Sequence, residues 1–132
     1  DRAMDYRVVP SSIFTMPEIG MVGLTEQQAR EQGYEVRIGS FPYRGLGKSH
    51  AMGKITGMAK IIADAKTDRI LGMHVMGAHA SDLVHEGAVM MKMGGTVRDL
   101  GETIHSHPTL SEAVMEAAHD VHGVSIHLPK EK

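Results

Sequence analysis

Two apolar runs of strand length, residues 58–63 and 70–76, bracket the polar stretch Asp64-Ala65-Lys66-Thr67-Asp68-Arg69. Runs of this kind on either side of a turn read as a β-hairpin. Strand side chains alternate, so Leu71, Met73 and Val75 share one face, and Gly72, His74 and Met76 the other. A lone hairpin is at best marginal in water and needs further strands or helices against it. The rest of the chain must supply them.

Upstream, residues 8–15, 21–24 and 34–43 read as extended, with β-branched and aromatic residues and prolines near the ends. Between the last two, Thr25 and Gln28 have capping-box spacing, and Gly33 suits the end of the helix they open. Residues 45–57 carry four glycines and two lysines and read as a loop. Gly45-Leu46-Gly47-Lys48-Ser49 lacks the spacing of a phosphate-cradling Walker loop. Downstream the pattern turns helical. Ser81 or Asp82 can cap a helix to about Met93, stopped by Gly94-Gly95, with Leu83, Gly87, Met90 and Met91 on one side. Thr96 can cap a short helix through Leu100. Pro108 and Thr109 open a last helix carrying Leu110, Val114, Ala117 and Ala118. Strands come first and helices cluster after them, which implies an α+β fold: a mainly antiparallel sheet with helices packed against it.

The 132 residues make one domain, long enough to bury roughly two-thirds of the unfolded surface. The net charge of −2, with signs interspersed, argues against nucleic-acid partners and anionic membranes. No apolar run reaches the roughly 18 residues a spanning helix needs. There is no cysteine, hence no disulfide, thiolate nucleophile or zinc–thiolate site in the chain. Eleven methionines suit core filling or, alternatively, a contact surface. The start, Asp1-Arg2-Ala3-Met4-Asp5-Tyr6, reads as a cut within a longer protein, with processing as the alternative.

The chemistry concentrates in Thr103-Ile104-His105-Ser106-His107-Pro108-Thr109-Leu110-Ser111-Glu112. His107 precedes the proline that opens a helix, and Glu112 lies near that helix's start. A loop imidazole can fold back onto such a carboxylate, which would accept a ring N–H and fix the tautomer. An acid–base catalyst oriented by a third group is wired in this way. Thr109-x-x-Glu112 is equally a capping box, and His-Pro equally an ordinary turn. His105 with His107, and His119 with His122, have spacings that occur in metal sites, but no third and fourth ligands accompany them, so no metal site is expected.

His-x-His-Pro-Thr-Leu-Ser-Glu resembles the C-terminal signature of the pyridine nucleotide-disulfide oxidoreductases, the flavoprotein disulfide reductases. The likeness extends through Phe14-Thr15-Met16-Pro17-Glu18-Ile19-Gly20-Met21-Val22-Gly23, Thr25-Glu26, Phe41-Pro42-Tyr43, Ala51-Met52-Gly53 and Ile70-Leu71-Gly72-Met73-His74-Val75-Met76-Gly77. Ala80-Ser81-Asp82-Leu83 followed by Glu86 is more similar to the dihydrolipoamide dehydrogenase branch than to the glutathione branch.

The resemblance implies a linker over residues 1–7, a dimerisation domain over 8–125 and a flexible tail over 126–132. It implies a homodimer whose parent chain also carries FAD and NAD domains, absent here together with their Gly-x-Gly-x-x-Gly fingerprint and the redox cysteine pair. It assigns His107 and Glu112 as a catalytic pair delivered in trans for dithiol/disulfide redox on a lipoyl-type substrate. His107 and Pro108 would touch the partner subunit's FAD, and the His107-Pro108 bond would be cis. The chain alone is expected to hold neither cofactor and to be inactive, and the family's habit is cytoplasmic. Two alternatives stand beside this: the same domain from a glutathione-reductase-like branch, or a free-standing, non-catalytic self-association module. A mercuric branch should lack the pair.

Overall fold

The computed structural model describes residues 3–129. Among them, β1 (Ser11–Ile13), β2 (Glu18–Gly23), β3 (Val36–Pro42), β4 (Gly57–Asp64) and β5 (Ile70–Gly77) form one sheet in the order β1-β2-β5-β4-β3. Every pairing is antiparallel, and β4 and β5 are the expected hairpin, irregular in register at Ile62/Ala63. The expected α+β class is the one observed.

Helices α3 (Ala80–Met93) and α5 (Glu112–Val121) cover the sheet, α3 over β2 and β5, α5 over β3 and β4, with α4 (Val97–Glu102) packed on α5. Alternation puts Ala59, Ile61, Ala63, Met73 and Val75 inside, against Val84, Val114 and Ala117 from the helices. Glycines let the helices sit close. A Cβ at Gly39 would collide with the backbone of Ala117 and Val121 on α5, and one at Gly20 with the Ala80 carbonyl of α3. Asp120 strengthens the first contact by accepting the Ser40 N–H at 2.8 Å.

Local signals hold where the cap is local. Thr25 and Gln28 close a reciprocal capping box on α1 (Glu26–Glu31), and Thr96 and Asp99 do the same on α4. Other expectations need correction. Residues 45–57 contain α2 (Gly47–Met52), ended by Gly53 in the left-handed region. α3 is capped by neither Ser81 nor Asp82: His79 holds that position in the left-handed region, and Ser81 instead donates its N–H and Oγ–H to Glu18. α5 begins at Glu112, not at Pro108. Of the eleven methionines, Met73 alone is fully buried and five are exposed, so core filling is the lesser part of their use.

At the ends, residues 6–8 form a 3-10 turn packed on α3 and β2. The expected flexible tail is tied down as far as Leu128, which packs on the core. Positions 1–2 of the expected linker and 130–132 of the tail lie outside the described residues.

Candidate active site

The segment joining α4 to α5, residues 103–111, carries the site. Glu112, at the first position of α5, uses its two oxygens differently. His107 Nδ1 lies 2.8 Å from Oε1, and the Thr109 backbone N–H donates to Oε2 at 2.9 Å. Orienting an imidazole and pairing a loop amide, the two uses read from the sequence, are therefore simultaneous. The Thr109 hydroxyl does not complete a capping box. It donates to the Ser106 carbonyl at 2.8 Å, and the helix starts at Glu112 with no side-chain cap from Ser111.

Glu112 is mostly buried, its side chain 14% exposed, whereas the His107 ring is 76% exposed. Burial pushes the Glu112 carboxyl up. The Thr109 amide, the His107 ring and the charges of His107 and His127 outweigh it and hold the group below the usual carboxylate range. A carboxylate that stays ionised and accepts at Nδ1 fixes the tautomer with Nε2 unprotonated when the ring is neutral. The His107-Pro108 peptide is cis, as is Met16-Pro17.

Two further histidine–glutamate pairs escaped sequence reasoning. His105 is nearly buried and bonds Glu86 of α3 through Nε2 at 2.8 Å and the Thr103 carbonyl through Nδ1 at 2.8 Å. Glu116, one turn beyond Glu112, is 1% exposed and accepts from Ser125 Oγ, the amides of Ile126 (3.0 Å) and His127 (3.3 Å), and His127 Nδ1 (2.7 Å). Here too burial raises the carboxyl's proton affinity and the hydrogen bonds from Ser125 and His127 reverse it, leaving it below the usual range. Both partners are distant in sequence, and the signal available was only a glutamate four residues after Glu112. His119 and His122 do not converge on a ligand. His119 packs on Gly101, and His122 Nε2 lies 3.0 Å from Asp68 Oδ1. Among the described residues no three His, Cys, Asp or Glu side chains are placed to share a metal ion.

Residues 9–118 match the family described as pyridine nucleotide-disulphide oxidoreductase, dimerisation domain. The chain belongs to this family. It is 48% identical over 120 residues to a dihydrolipoyl dehydrogenase of Thermus scotoductus, covering 91% of this chain and 26% of that protein. Its structure is similar to LpdA from Mycobacterium tuberculosis (TM-score 0.83, 28% identity, 89% of this chain and 26% of that one). It is also similar to the HOCl-induced flavoprotein disulfide reductase RclA of Escherichia coli (TM-score 0.80, 30% identity, 83% and 25%). The dimerisation domain thus spans about a quarter of the length of the relatives it matches. Among the described residues no helix is long and apolar enough to cross a membrane.

Proposed function

We propose that this chain is the dimerisation domain of a dihydrolipoamide dehydrogenase-like flavoenzyme, and that His107 and Glu112 are the acid–base pair for dithiol oxidation at the partner subunit's site. The observation that carries the reading is a largely exposed imidazole held at Nδ1 by a mostly buried, ionised carboxylate. Likeness to dihydrolipoyl dehydrogenases supports the branch over a glutathione-type one. Exposed Phe14, Met16 and Ile104, the last on the loop that carries His107, support pairing with a second copy.

In this reading the Nε2 of neutral His107 accepts the proton of a substrate thiol, because the thiolate is the competent nucleophile. The thiolate attacks the parent's redox disulfide. One S–S bond forms, one breaks, and the released thiolate lies beside the imidazolium, which offsets its charge. His107 passes this proton to the released thiolate and takes the proton of the second substrate thiol, which attacks the substrate sulfur of the mixed disulfide, so that the substrate S–S bond forms, the mixed disulfide breaks and the second enzyme cysteine leaves as a thiolate. Glu112 keeps the ring's orientation throughout. FAD and NAD belong to other domains of the parent. The donor set here suits a thiol and offers a flavin only the exposed edge of His107-Pro108. The parent's FAD would supply the two-electron chemistry that links the thiols to NAD. A lipoyl-type dithiol is the substrate and the cytoplasm the compartment in the same reading.

The test is His107→Gln in the full-length flavoenzyme. Dithiol turnover should fall about 10²- to 10⁴-fold with flavin still bound. A wild-type rate would sink the assignment.

A further inference from the structure

We propose that Glu86 and His105 are a positioning pair that seats the His107 loop on α3, an inference that rests on the catalytic reading of His107. The loop's other hydrogen bonds are local. Thr103 bonds back to Asp99, Thr109 Oγ1 to Ser106, and the Thr109 amide to Glu112. None of these ties the loop to α3. His105 does so, two residues from His107.

Its surroundings are those of a built contact. The His105 side chain is 7% exposed, while its neighbour Ile104 is 96% exposed and His107 76%. The buried ring meets a carboxylate oxygen at one nitrogen and a carbonyl oxygen at the other. Neither oxygen can donate, so satisfying both bonds requires two ring protons and a cationic imidazole. The charged groups facing it are Glu86 from α3 and Glu112 from α5. Glu86 holds the ring above the usual imidazole range against the opposing effect of burial, with the Thr103 carbonyl and Glu112 acting in the same direction as Glu86.

A part-buried ion pair is a poor way to gain stability, since desolvation, here chiefly of the His105 ring, opposes the attraction. What it supplies here is direction. It fixes the loop where apolar packing would tolerate sliding. The device also has a pH limit. Once His105 loses its second proton, the neutral ring must release one acceptor, and the loop loosens.

The experiment uses the full-length flavoenzyme with Glu86→Gln and Glu86→Leu, each compared with His107→Gln. Glu86→Gln removes the charge and brings an amide N–H that can donate to Nε2 of the neutral ring. The neutral ring then keeps both bonds, so the alkaline limb of the kcat profile should move to higher pH with KM and flavin absorbance unchanged. Glu86→Leu should lower kcat at all pH values, about 10- to 100-fold, the scale of a small misplacement of a catalytic group. Should the leucine variant fail to fold, the Glu86→Gln profile carries the test. An unshifted alkaline limb in Glu86→Gln, with turnover abolished in His107→Gln, would overturn the positioning role alone. Wild-type turnover in His107→Gln would overturn the reading beneath it.

Discussion

Glu112 and Glu116 lie on successive turns of α5, and each accepts an imidazole Nδ1–H and a backbone amide. The likeness ends there. Glu116 is 1% exposed and takes four hydrogen bonds, all from one returning segment, residues 125–127. Glu112 takes two and holds a ring that is three-quarters exposed. A saturated carboxylate whose partners all come from its own fold is a latch. One that holds a loop imidazole and a single amide is an orienter. The rings of His107 and His127 are both largely exposed, 76% and 62%, so the two pairs differ in how many other partners the carboxylate holds.

Substituting each glutamate in turn should separate the two roles. Glu112→Ala in the full-length flavoenzyme should lower dithiol turnover on the order of 100-fold, by releasing the His107 ring, the general base, from the carboxylate that orients it. Steady-state kinetics against thermal melting checks this, and a melting loss with intact turnover would reverse the roles. Glu116→Ala should leave turnover largely intact and destabilise the domain by about 3 kcal/mol. It strands the buried Ser125 hydroxyl and takes the acceptor from two part-buried backbone amides. Denaturant unfolding of the chain measures that loss.

Acid should sharpen the contrast. The folded-state carboxyls of Glu112 and Glu116 both lie below the ordinary glutamate value of 4.5. A group depressed on folding contributes stability above its unfolded value and loses it as pH falls through the folded one. Both contributions are therefore present above about pH 4.5 and fade below it. Glu116→Ala should flatten the acid slope of stability, measured by unfolding between pH 5 and pH 3. The smallest effect should come from Thr25→Ala, far from both pairs. Loss of the α1 cap should cost about 1 kcal/mol without touching turnover. A turnover change there would mean that the site responds to stability at large.

The sequence shows clearly what neighbours in the chain decide. The capping boxes at Thr25 and Thr96 involve partners three residues away, and the hairpin announces itself by two apolar runs around a polar turn. His107 with Glu112 is similarly local, spanning five residues. α2 stays hidden because glycine and lysine suggest a loop, whereas Gly53 terminates a six-residue helix. The start of α5 is obscured because Thr109-x-x-Glu112 mimics a capping box while the Thr109 hydroxyl turns to Ser106. The partners Glu86 and His105 stand 19 residues apart, and Glu116 meets residues 125–127 only because the chain folds back. Such pairs follow from tertiary packing, which no local spacing encodes.

The central claim is that His107 serves the other subunit. It is tested most directly in a heterodimer of the full-length flavoenzyme, one subunit carrying His107→Gln and the other lacking the redox cysteines. Donation across a two-fold interface leaves one complete site, so dithiol turnover should be about half that of the wild-type dimer. No turnover from that heterodimer, with each singly substituted homodimer also inactive, would place the histidine in its own subunit's site and contradict the account.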